Sequence, residues 1–140
     1  MTQGFDAGDF IAAQNRVWDD VLGELREGRK RSHWIWFVFP QLAALGQSSL
    51  SQRYGLRDLA EARSYLANET LRAHLVEAAG ILMDHEDESA EDILGPLDAL
   101  KLRSSLTLFT AVPGAPDIFG RALAQFFQGR RCPKTLDLIG

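Results

Sequence analysis

The stretch Ser32-His33-Trp34-Ile35-Trp36-Phe37-Val38-Phe39-Pro40-Gln41 decides the fold class of this 140-residue chain. From Trp34 to Phe39 every residue is apolar, so a buried strand and a short buried helix fit the pattern equally. Two considerations separate them. No second strongly strand-like segment exists to pair with this one, and an unpaired strand in a core would leave its N–H and C=O groups without partners. Ser32 can cap a helix, and Pro40 forbids a long continuation. A short helix is the expectation, and with it an all-α fold.

Upstream, Phe10, Ala13, Val17, Trp18, Val21, Leu22 and Leu25 recur three and four residues apart, one apolar stripe on a helix predicted over 9–27. Asp6 or Asp9 can cap its start, and Gly28 supplies the stop. Downstream, 46–51 is rich in Gly and Ser and reads as a loop. Helices are predicted over 57–67, 70–85, 89–94, 98–112 and 116–128, with a last turn over 133–138. Ser89 and Asp92 stand in the spacing of a capping box, and Pro113-Gly114 ends the segment before them in the core stripe of Leu102, Leu106 and Phe109. The connections are short, with no linker, repeat or low-complexity stretch. The expected architecture is a compact single-domain multihelical bundle, 1–140, of about six to seven helices, some of them short.

Composition bounds the function. With 46% apolar and 24% charged residues the chain is globular rather than disordered. One cysteine, Cys132, excludes an internal disulfide and a cysteine-based zinc site; only Arg130 and Arg131 stand beside it, and it reads as an ordinary thiol. The start of the chain lacks a basic segment followed by an apolar run, and the longest apolar stretch, 34–40, is too short for a bilayer. A cytoplasmic protein without membrane contact is expected. The net charge of −4 argues against nucleic-acid binding, which needs a basic surface. A phosphate-cradling glycine loop, a nucleophile elbow and a His-Glu-x-x-His motif are all missing, and His33, His74 and His85 are scattered. The acidic run 84–91 reads as solvated. No metal and no cofactor is implied.

Two blocks carry polar residues inside apolar surroundings. In the first, Arg26, Arg29, Lys30 and Arg31 precede Ser32 and His33. A helix starting at Ser32 would aim free N–H groups at this cluster, an arrangement that suits a phosphate or carboxylate. His33 could carry a proton. Trp34 and Trp36 are first of all core residues; one of the two, with Trp34 the expected binder, could also form a stacking wall, as could Tyr54, and Gln41 places an amide beside the apolar block. In the second, Asp98, Lys101 and Ser105 lie three and four apart on one helical face, with Ser104 beside them. Their ordinary reading is a surface ion pair and packed serines; a serine near a lysine can also be a nucleophile.

The segments GRKRSHWIWFVFPQLAALGQS (28–48), SQRYGLRDLAEARSYLAN (51–68) and DALKLRSSLTLF (98–109) together resemble the bacterial family catalogued as domain of unknown function 1810. The resemblance covers nearly the whole chain and implies a small multihelical fold. It implies no established activity. Some members carry the name calpastatin, which belongs to a disordered, repetitive inhibitor and does not suit a globular chain without repeats. The blocks that carry the resemblance are also the chemically unusual ones. They are therefore expected to meet in space, with His33, Gln41, Asp98, Lys101 and Ser104 or Ser105 lining one pocket.

This leads to a working expectation: a site for an anionic, nucleotide-like or sugar-phosphate ligand. Lys30, Trp34, Gln41, Tyr54 and Ser104 would bind it. His33, Asp98, Lys101 and Ser105 would act if the site is hydrolytic. The competing class is a non-catalytic ligand-binding or protein-interaction module. Oligomeric state is not encoded in any of these patterns.

Overall fold

The computed structural model describes residues 5–140. Among them the chain forms helices and no strands: α1 (Ala7–Glu27), α2 (Ile35–Val38), a 3-10 turn (Ala43–Leu45), α3 (Ser49–Tyr54), α4 (Leu59–Ala67), α5 (Glu69–Met83), α6 (Ala90–Leu94), α7 (Pro96–Thr110), α8 (Ile118–Phe127) and α9 (Pro133–Ile139). The all-α reading holds. The sequence did not suggest the 3-10 turn or α3, which begins inside the loop expected over 46–51 and runs on to Tyr54. Ser48 caps it through a hydrogen bond from Ser51 N–H, a local signal hidden in a Gly- and Ser-rich stretch.

The cap chemistry otherwise follows the sequence. Asp6 accepts from Asp9 N–H at the start of α1. Gly28 ends α1 in the left-handed region at φ 75°, where a side chain would also press on His85 and Glu88. Ser89 and Asp92 form the reciprocal capping box of α6.

Helix α7 is the central element, packed by α8, α6, α9 and α4, while α1 lies along α5. Its first turns are at the surface, but from Ser104 to Phe109 every residue is buried. One continuous core joins Phe10, Val21 and Leu25 of α1 to Leu71, Leu75 and Leu82 of α5, and to Leu102, Leu106 and Phe109 of α7. All of Trp34 to Phe39 belongs to it. The backbone leaves the helix at Phe39 and after Pro40 makes a single rung with the segment after α3: Leu56 N–H donates to Gln41 O at 2.9 Å and Ala43 N–H to Leu56 O at 2.8 Å. The chains approach so closely here that a Cβ on Gly55 would lie 2.4 Å from the Ala43 backbone. That rung fixes Gln41.

Among the described residues no helix is long and apolar enough to cross a membrane. No three His, Cys, Asp or Glu side chains among them converge as metal ligands.

Candidate functional site

The connection between α1 and α2 is organised by a residue the sequence did not single out. Glu24, in the last turns of α1, is buried, and its carboxylate turns into the loop that follows. Oε1 accepts from Arg31 N–H at 2.8 Å, Ser32 N–H at 3.1 Å and the Trp34 indole Nε1–H at 2.9 Å; Oε2 accepts from the Ser32 hydroxyl at 2.5 Å. Burial alone would raise this carboxyl, but the Ser32 hydroxyl, the Arg31 N–H, the indole and the Ser32 N–H outweigh it and hold it down to about 2. Ser32 is therefore not the cap of α2. Trp34 occupies that position, without a side-chain cap. Glu24 takes the N–H groups of Arg31 and Ser32, which lead into α2, and so sets an internal anion within the basic segment.

The basic cluster is dispersed in the same way. Arg29 reaches Glu88 and the carbonyls of Gly28 and Asp92, and Arg31 pairs with Glu27. Lys30 alone points toward the second block. Its backbone N–H is bound by Ile93 O at 2.8 Å, and its ammonium lies 2.7 Å from Asp98 Oδ2 and 4.9 Å from the centre of the Trp34 ring. Lys101, one turn along α7, holds the other oxygen, Oδ1, at 3.2 Å. Burial would raise the Asp98 carboxyl, yet the hydrogen bonds and charges of Lys30 and Lys101 carry it below its ordinary value.

Around this Lys30–Asp98–Lys101 triad the surface is concave. A cleft of about 170 Å³ is lined by the triad, His33, Ile35, Trp36, Ser48 and Leu50. On the α6 side it widens into a shallow depression of about 480 Å³, bounded by Ser32, His33, Leu94 and Leu97 with the triad. His33 is exposed at the rim of both. On the far side of Lys101 a separate groove of about 520 Å³ runs between the 3-10 turn, α7 and α9, along Leu45, Leu97, Leu100 and Pro133, with Gln41, Ser104 and Cys132 in its wall. Lys101 lines all three.

The two sequence blocks thus come together at Lys30, His33, Asp98 and Lys101, while Gln41 and Ser104 fall in the adjoining groove. Three candidates lie elsewhere. Trp34 is 1% exposed, with Lys30 over its ring and its indole N–H spent on Glu24; it is Trp36 that reaches the cleft. Tyr54 is in the core against Phe10 and Phe37, under Arg53. Ser105 is fully buried and lines none of these cavities, because α7 dives into the molecule beyond Lys101 and its serine face no longer meets solvent.

The same blocks carry the family likeness. The chain matches the family described as Protein of unknown function (DUF1810) over residues 4–139. It belongs to that family. A crystal structure of the conserved hypothetical protein Rv1873 from Mycobacterium tuberculosis is similar at 44% identity, covering 96% of each chain, with a TM-score of 0.93. No curated protein matches the chain. For this DUF1810 chain the likeness fixes the fold, and the chemistry must come from the side chains.

Two of those side chains escaped sequence reasoning. Glu24 has the α1 register of an ordinary boundary residue, and only the later donors at 31, 32 and 34 reveal its role. Cys132 stands in the groove wall. Arg103 holds its approach, donating from Nε to Arg130 O at 2.7 Å and from Nη2 to Arg131 O at 2.8 Å, and the Cys132 N–H donates to Thr107 Oγ1 at 2.9 Å. The Ser104 hydroxyl lies 3.3 Å from Cys132 Sγ. Burial favours the neutral thiol, but Ser104 and the N–H groups at the start of α9 outweigh it and hold the thiol below its ordinary value.

Proposed function

We propose that this protein binds a small anionic molecule of the nucleotide or sugar-phosphate class at the cleft around Lys101. The anionic group lies against Lys101 and His33, and the less polar part extends over Leu97 and Leu100 into the groove. One observation carries this reading: two ammoniums share the single carboxylate of Asp98, leaving one net positive charge in a concave surface at the wall common to the cleft and the groove. Lys101 is a third exposed there and among the described residues pairs only with Asp98, so it retains donors for a ligand.

The triad favours binding over hydrolysis. A general base must take a proton near neutral pH, and Asp98, held ionised by two lysines, is a weak base. The serine that would serve as nucleophile, Ser105, is out of reach. The cytoplasm suits this reading, since phosphorylated metabolites are abundant there and a single free thiol stays reduced.

The test is a thermal-shift panel of nucleotides and sugar phosphates. A ligand at a hundred times its Kd stabilises the native state by about 2.7 kcal/mol, a rise in Tm of roughly 5–10 °C for a chain of this size. Lys101→Ala and His33→Ala should keep the fold and lose the rise. If no compound raises Tm, or both variants respond like the parent, the site is misplaced. Release of a product from any compound that binds would restore the hydrolytic version.

A further inference from the structure

The groove beside the cleft holds more chemistry than binding requires. Gln41 is 2% exposed, and its Nε2 has no hydrogen-bond partner among the described residues, although its backbone is pinned by the rung to Leu56. A buried donor left unpaired destabilises the fold, and the residue that carries this one lines the groove. In the same wall is the thiol of Cys132, its backbone fixed to α7 by Thr107 and by the Arg103 clamp on the two preceding carbonyls. The Ser104 hydroxyl is within reach of both Leu100 O, at 3.1 Å, and Cys132 Sγ, at 3.3 Å. With one hydrogen to give, it can serve only one of them at a time. It donates to the helix carbonyl when sulfur carries its own proton, and to sulfur when it does not. The remaining walls are Leu45, Leu97, Leu100 and Pro133, of which Leu97 is 73% and Leu100 60% exposed, with Lys101 and Lys134 at the rim.

We propose that this groove accepts the acyl thioester of an anionic, phosphate-bearing carrier and that Cys132 takes up the acyl group. Each feature of the groove then has its counterpart in one ligand. The leucines meet the acyl chain, the Gln41 amide donates to the carbonyl oxygen, the thiolate faces the carbonyl carbon, and the carrier's phosphates lie on Lys101 and the triad. The step is a thioester exchange. The Cys132 thiolate attacks the carbonyl carbon, the negative charge moves to the carbonyl oxygen facing Gln41 Nε2, and the bond to the carrier sulfur breaks. The carrier leaves as a thiolate and is protonated by solvent. No oxidant or water is consumed. A small disulfide could also react with the thiol, but it would leave the apolar walls and the Gln41 donor unused.

The inference rests on the anion site proposed above for the carrier, and its test separates the two. The whole protein is incubated with octanoyl-coenzyme A and followed by intact-mass spectrometry. A single octanoyl adduct is expected, absent in Cys132→Ser, released by neutral hydroxylamine, and formed about a hundredfold more slowly in Gln41→Leu, the usual cost of losing one oxyanion donor. The thermal midpoint of each variant in buffer shows that it is folded. No adduct, an adduct that forms equally fast in Gln41→Leu or in urea, or modification by oxidised glutathione but not by the thioester would each overturn the proposal. Failure here with Tm shifts by nucleotides intact leaves the anion site standing. An adduct whose rate is unchanged in Lys101→Ala, with no nucleotide shift, removes the anion site instead and keeps the acyl site.

Discussion

Two polar sites lie within a few residues of each other in this chain, and they are built to opposite plans. At Glu24 every oxygen is matched: four donors from residues 31–34 converge on one carboxylate, and the loop is complete without any external partner. Across the Lys30–Asp98–Lys101 triad, matching stops half-way. Asp98 is satisfied twice, Lys101 keeps spare donors, and beyond it the Gln41 Nε2 is buried and unpaired among the described residues. The difference teaches where to look. A polar group that closes on its neighbours stabilises the fold, and one that is held rigidly but left open toward a cavity indicates a ligand.

Substitutions that break this comparison fall in a graded order. The largest loss is expected at Glu24. Glu24→Ala strands four buried or half-buried donors and should cost about 3 kcal/mol, read as a fall in Tm of roughly 10 °C. The same group sets the acid limit. Its folded value of about 2 lies below the ordinary 4.5, so the unfolded chain takes up this proton first as pH falls. Its contribution is complete above pH 4.5 and is lost progressively toward about 2. Urea titrations across that window should show a steeper decline for the parent than for Glu24→Gln.

Lys30→Met comes next, at about 2 kcal/mol, because the mostly buried Asp98 would keep only Lys101. Lys101→Ala should cost under about 1 kcal/mol, since Lys101 is partly exposed and Asp98 retains Lys30. Its effect belongs on the ligand-dependent shift in Tm, where the triad loses its outward-facing charge. Denaturant midpoints at equal m-values check both. If Lys101→Ala proved as damaging as Lys30→Met, the triad would be a structural clamp and the distinction between closed and open sites would blur.

The sequence carried the fold well and the site unevenly, for physical reasons. Helix α1, the capping box of α6 and the positions of α4, α5, α7 and α8 rest on short-range periodicity and caps, which act within a few residues. Residues 34–38 were ambiguous by pattern and were settled by the need to pair a backbone. The meeting of Lys30 and His33 with Asp98 and Lys101 could be suggested from two unusual blocks, but no local rule sets the depth of a helical face. That is why Ser105 and Tyr54 read as site residues and turned out to be core. The long-range partners were illegible for the same reason. Glu24 has no signature until its donors fold back on it, and Cys132 gains its setting from Ser104, twenty-eight positions away.

The smallest expected stability change is the most informative. Gln41→Leu removes an unpaired buried donor, so the protein in buffer should be as stable as the parent or up to about 1 kcal/mol more stable. The most direct test is to record, on this one variant, Tm in buffer and Tm with saturating octanoyl-coenzyme A, whose carbonyl is the group that Gln41 would hold. The account predicts an unchanged or higher Tm in buffer together with a diminished ligand-induced rise. A variant that lost stability yet kept the full rise would show that Gln41 serves the fold and that the open site lies elsewhere.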